Sequence, residues 1–336
     1  MFLHIDGFDS YAVSSDLLQE YVGQSCNFST TAGRFGQGCV QINGNSSYLT
    51  WGNSSQMSEI WAGFAIQCTN SGQNFGPFIT IVSANGTEAE FQYAPISGNW
   101  AFTRGTSTYL GTYTYPISLS TYNWIEIHYK ISSSVGIAEI WVNGTRVINL
   151  TGINTTSYSS TSFGTIKLGG DGSSGLVGNY DDWYILDTTG TYNNTRLGDS
   201  RVETLRPQSD FGPNNGVPST AGPHYKMINE LQWNSSNTIT LGSTSGNAEV
   251  FGMTSLTAAP TNIHAVRVLA SAEKTDAGAL LANTIVVSSN VAANGNSTAL
   301  TTSYTHLSNI FEIDPNTGVP WGLTAINSMD CGFKIP

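Results

Sequence analysis

Apolar and polar residues alternate along this chain in short runs set between clusters of turn-forming residues. Runs at 75–82, 88–93, 100–103, 124–131, 138–142, 165–168 and 181–186 carry the two-residue period of strands with one buried and one solvated face. Longer helical periodicity is nearly absent. Only 14–21, with Leu17, Leu18 and Tyr21 on one side, predicts a turn or two of helix. The clearest unit is WIEIHYKI at 124–131, a Ser/Gly loop, IAEIWVNG at 137–144 and the strand that follows. Asn143-Gly144 suits the positive φ angles of a type I′ hairpin. In this meander one face is Ile and Trp and the other Glu, His or Lys, so one side reads as core and the other as wet.

After residue 197 the texture changes. The stretch 197–222 holds Pro207, Pro213, Pro218 and several glycines with few apolar anchors, and reads as a linker. Strand-like runs resume at 263–272, 283–287 and 308–313, and 320–329 predicts one short helix before a last strand. The expected organisation is a sandwich over 1–196, a linker over 197–222 and a smaller β-rich domain over 223–336, in keeping with a length of 336 residues.

Composition narrows the function classes. Charged residues are 10% of the chain against roughly 25% in ordinary soluble proteins, so solubility rests on hydroxyls and amides. With 39% hydrophobic and 11% aromatic residues the chain has material for a core and is not disordered by composition. A formal charge of −11 without a Lys/Arg cluster argues against nucleic acid as a partner. No apolar run is long enough to span a membrane, and the first residues already alternate like a strand rather than a secretion signal. Cys26, Cys39, Cys68 and Cys331 lack metal-site spacing. Free buried thiols are expected in a protein made in a reducing cytosol, with a Cys26–Cys39 disulfide as the alternative.

The segment from WIEIHYK to WVNGTRV, followed by GNYDDWYILD and preceded at the start by HIDGFDSY, resembles the concanavalin A-like (laminin G-like) lectin fold. The resemblance implies a jelly-roll sandwich in which the Asp-Asp-aromatic strand returns beside the first strand. The second part, through HAVRVLASAEKTDAG to DPNTGVPWGLTAINSMDCGFKI, resembles a segment of tailed-bacteriophage virion proteins. It implies a virion accessory protein made in a bacterial host cytoplasm and packed against other virion proteins at capsid, collar or tail. A surface so low in charge loses little on burial and gains with copy number, so a homo-oligomer is expected, with a trimer as its size.

The strand signature Glu-x-Asp-x-x-Glu of glucanases is absent. Glu126 and Glu139 sit on neighbouring strands, where they read as parts of a solvated face. His4, His128, His224, His264 and His306 are scattered, and no Gly-x-Ser-x-Gly elbow occurs. The expectation is therefore a protein that is not an enzyme. Tyr48, Trp51, Tyr93, Trp100 and Tyr113, with Tyr109 and Tyr115, are candidates to stack on sugar rings of host surface glycans. Asp171, Asn179, Asp181 and Asp182 are candidates for Ca²⁺, of the kind laminin G-like domains bind. The structural alternative, a turn cap or partner for an arginine, is preferred for the Asp pair, and no other cofactor is expected.

Overall fold

The computed structural model describes residues 1–44, 46–69, 75–170 and 176–336. The chain divides into two compact units, Met1–Val202 and Glu203–Pro336.

The first unit is a jelly-roll sandwich. Its strands are β1 (Phe2–Asp6), β2 (Gly23–Ser25), β3 (Asn27–Ser29), β4 (Cys39–Asn43), β5 (Tyr48–Met57), β6 (Glu59–Cys68), β7 (Gly76–Ser83), β8 (Gly86–Ala94), β9 (Asn99–Arg104), β10 (Thr108–Thr114), β11 (Asn123–Lys130), β12 (Gly136–Val142), β13 (Thr145–Ile153), β14 (Phe163–Gly169) and β15 (Val177–Asp187). One sheet runs β13-β12-β11-β6-β15-β4-β3, with β1 also paired to β15, and the other runs β10-β9-β8-β7-β14-β5-β2. Alternation explains the layers. Ile60, Ala62, Phe64 and Ile66 of β6 and Ile125, Ile127 and Tyr129 of β11 meet Phe91 and Tyr93 of β8 and Trp100 and Phe102 of β9 in one core cluster. A 3₁₀ turn, Ser14–Gln19, stands where the short helical period was read and buries Leu17.

The meander is as expected. β11 pairs β12, β12 pairs β13, and Asn143 and Gly144 take φ of 47° and 82°. β15 returns beside β1. The outer face of the first sheet departs from the expectation that it is wet. Residues 188–202 cross it as a strap, and Glu126, Tyr184 and Trp124 beneath are buried. Gly63 lets this happen: a Cβ there would lie 2.3 Å from Tyr184 Cε1, so the ring lies where any side chain would stand.

In the second unit the strands are β16 (Pro207–Asn214), β17 (Val217–Pro218), β18 (Ile239–Thr240), β19 (Ala248–Met253), β20 (Val266–Ala272), β21 (Leu281–Ser288), β22 (Val291–Asn294), β23 (Thr298–Ala299), β24 (Thr305–Phe311) and β25 (Asp330–Lys334), with one short helix, α1 (Leu323–Ile326). The main sheet runs β16-β19-β25-β21-β22, and Val266, Val268, Val286, Trp321 and Ile326 share a core cluster. The linker expectation over 197–222 is corrected. Residues 197–202 belong to the sandwich unit, and β16 pairs β19. The prolines misled because β16 is an edge strand, where a missing N–H costs no ladder bond.

Candidate functional site

Three of the seven residues read as sugar platforms are core. Trp51, Tyr93 and Trp100 are all buried, Trp100 at 1% exposure. Tyr93 and Trp100 pack with ring centroids 4.3 Å apart. Their strands alternate, and these positions fall on the inward side, so they cannot stack on a ligand. Tyr48 is half-buried with Lys167 Nζ 5.0 Å from its ring centre. Tyr113 is 53% exposed on β10, and Tyr109 on the same strand is 50% exposed. Tyr109 donates its hydroxyl hydrogen bond to Gln92.

Among the described residues, the candidate cation ligands are engaged by other partners. Asp171 lies outside the described residues. Asn179 is tied to Gln41 and Gln67. A bulge in β15, with Asp182 at φ 54°, turns the Asp pair toward Arg34. Asp181 accepts from the backbone N–H groups of Arg34 and Asp182. Asp182 accepts from the N–H of Val202 and from Arg34 Nη1. All four carboxylate oxygens thus face donors, which is the arrangement of a structural anchor. Burial pushes both acids above the ordinary carboxylate range, Asp181 further because of the Asp182 charge. Among the described residues no group of three or more His, Cys, Asp or Glu side chains is placed to hold a metal.

Polar side chains converge instead on the strapped sheet. Glu126 accepts from Tyr184 Oη at 2.7 Å, Arg196 Nη1 at 2.9 Å and the Gly198 N–H at 2.8 Å. The Arg196 guanidinium lies 4.3 Å from the Trp141 ring centre, and Arg146 approaches the same ring at 5.3 Å. One row further along the strands, His128 stacks on Trp61 at 4.2 Å. Its two ring nitrogens face Glu59 at 2.9 Å and Glu139 at 3.1 Å. Neutral imidazole donates from one nitrogen only, so both contacts are donations only in the imidazolium form. Burial would raise Glu59, but hydrogen bonds from Lys130 and His128 outweigh it and hold the acid low. The bond from His128 likewise holds Glu139 low against its burial, and Arg146 adds to it. Glu126 and Glu139 are therefore buried and paired, not parts of a solvated face.

Beside this network opens a depression of about 680 Å³ in the sandwich unit, within the range of small-molecule sites. Three pieces of chain enclose it: the β10–β11 loop with Tyr115, Ser118, Thr121 and Tyr122, the Asn143-Gly144 turn, and the strap with Arg196 and Asp199. The walls are anchored from behind. Trp100 Nε1 donates to the Tyr115 carbonyl at 2.8 Å and Tyr122 Oη to the Ala32 carbonyl at 2.7 Å. Asn143 Nδ2 donates to Asn123 Oδ1 at 3.0 Å. At the rim, both Asp199 oxygens accept from Arg34 Nη2. A rigid aromatic and amide wall, facing one guanidinium and one carboxylate, is suited to a polar ligand with one apolar face.

No family model and no curated protein matches this chain. Among solved structures it is similar to the alginate lyase Aly36B, at 13% identity and a TM-score of 0.40 over 55% of this chain and 96% of that one. It is similar to the cellulose induced protein Cip1 at 12% identity and a TM-score of 0.39, over 59% and 94% of the two chains. The match to a Trypanosoma rangeli sialidase has 9% identity and a TM-score of 0.35, with 44% of this chain and only 25% of the sialidase covered. These likenesses concern the fold. One expectation is corrected: the solved structures similar in fold include an alginate lyase and a sialidase, so the exclusion of enzymatic activity does not stand. Its premise, that Glu126 and Glu139 are merely solvated, has also failed.

Of the residues around the depression, sequence reasoning named Tyr115 as a sugar platform and Asn143-Gly144 as a turn, and missed Tyr122, Arg196 and Asp199. Arg196 and Asp199 lay at and beyond a supposed domain end. The available signal was their charge, since Lys and Arg total 12 in the whole chain and a cation in so neutral a sequence has a specific partner.

Proposed function

We propose that this protein is a glycan-binding accessory subunit of a bacteriophage particle and that its sandwich recognises the sugar. The observation that carries the glycan part is the anchored depression of about 680 Å³, with Tyr115 and Tyr122 beside Asn143, Arg196 and Asp199. Sugars offer an apolar ring face and a rim of hydroxyls, and such a wall meets both. The virion part draws its support from the phage-like sequence of the second unit and from a surface poor in charge, which is cheap to desolvate in an assembly.

The test is a glycan screen of the full chain beside a Thr121→Trp variant, which fills the depression from an exposed position. Binding that disappears in the variant is the expected result. Equal binding by both forms, or none by either, defeats the reading. Assaying the same mixtures for new reducing or unsaturated sugar ends reports turnover directly.

Assembly by packing alone is a second reading, favoured by Phe211, Val217 and Val319, which the second unit leaves more than half exposed. It carries the proposal of a trimer, and sedimentation of the full chain tests it: a monomer at micromolar concentration speaks against it.

A further inference from the structure

The charges around the depression are already compensated, and this bears on which sugars it takes. Arg196 spends Nη1 on buried Glu126 and lays its guanidinium plane near Trp141, so it reaches the depression as a neutralised donor. Asp199, exposed at the rim, is matched by Arg34. The depression thus holds one cation and one anion, the cation paired with Glu126 and the anion with an arginine that it shares with Asp182, inside a chain of net charge −11. An anionic sugar would find no uncompensated positive charge there and would meet the Asp199 carboxylate at the entrance. A neutral sugar meets a different surface. Its hydroxyls can donate to the remaining lone pairs of Asp199, and its oxygens can accept from the remaining N–H groups of Arg196 and from the second N–H of the Asn143 amide, whose first is held by Asn123. Its apolar ring face can rest against Tyr115 or Tyr122.

We infer that the depression selects neutral, hydroxyl-rich glycans and rejects uronates and sialylated sugars. The inference rests on the reading of this depression as the sugar site.

Calorimetric titration of the full chain with neutral oligosaccharides, oligouronates and sialyllactose, at low and high salt, separates the two. Neutral ligands should bind with little salt dependence, and charged analogues of equal length should bind at least about tenfold more weakly, a gap of about 1.4 kcal/mol. Thr121→Trp should abolish the binding. Asp199→Asn, which removes the repelling charge, should narrow the gap between neutral and anionic ligands. Preference for an oligouronate that is lost in Thr121→Trp overturns the charge inference while leaving the site in place. No binding by any ligand, or binding untouched by Thr121→Trp, overturns the site itself.

Discussion

Replacing Glu126 by alanine removes an acceptor that fastens the middle of the strap to the sheet beneath it. Three donors converge on that carboxylate: a tyrosine hydroxyl, a guanidinium and a backbone N–H. Taking one partner from a buried charged pair costs about 3–5 kcal/mol. Arg196 keeps 31% of its side chain exposed, so water relieves part of its loss and the lower end of that range applies to it. Tyr184 is 2% exposed, and its orphaned hydroxyl adds about 1–3 kcal/mol. These terms overlap, so the expected loss for the variant is about 3–5 kcal/mol, read as a shift in the urea midpoint at constant slope. A kinetic signature accompanies it. Arg196 and Arg201 are trypsin sites inside the strap, and cleavage there should accelerate in Glu126→Ala at urea concentrations well below unfolding. Adding Arg196→Met should cost less in the alanine background than in the wild type, by about 1–3 kcal/mol. A stability loss under about 1 kcal/mol with unchanged tryptic cleavage would refute the claim that Glu126 holds the strap.

Three further outcomes are expected. Gly63→Ala should cost about 1–3 kcal/mol, because its methyl must displace the Tyr184 ring; a thermal midpoint within a degree of the wild type contradicts that. All four thiols are buried and free, with burial pushing each up to about 12, so a thiol reagent at neutral pH should label them only as fast as the chain unfolds. His306 is lowered to about 4 by burial and by Arg267. The folded form therefore resists a proton that the unfolded chain takes up near 6.5, and stability present above that pH is lost as pH falls from 6.5 to 4, by up to about 3 kcal/mol. Hydrogen exchange on β20 and β24 should quicken over that interval in the wild type and not in His306→Gln; equal profiles sink the assignment.

Strand positions were legible because their cause is local. The meander from 123 to 153, the Asn143-Gly144 turn and the strand at 177–187 follow from two-residue alternation and from residues that accept positive φ. A central strand of that sheet, β6, between β11 and β15, was missed. Its sequence EIWAGFAIQC is apolar on both faces, since the strap side is covered too, and without alternation a buried strand has no period to read. The same cause hid the burial of Glu126 and Glu139, which looked like the wet half of an amphipathic strand. Trp51, Tyr93 and Trp100 erred in the other direction, because an aromatic residue in a short strand gives no sign of which face closes over it.

By itself, then, the sequence determined that the chain is built of short antiparallel strands with two-faced patterning, that helices would be brief, and that it would fold with little charge. Each of these depends on neighbours within a few residues. Only the tertiary structure decided that residues 188–202 turn back over the sheet, that Arg196 meets Glu126 across 70 positions of chain, and that a loop, a turn and that strap enclose one depression. Such contacts form between residues far apart in sequence, where no local period carries the information.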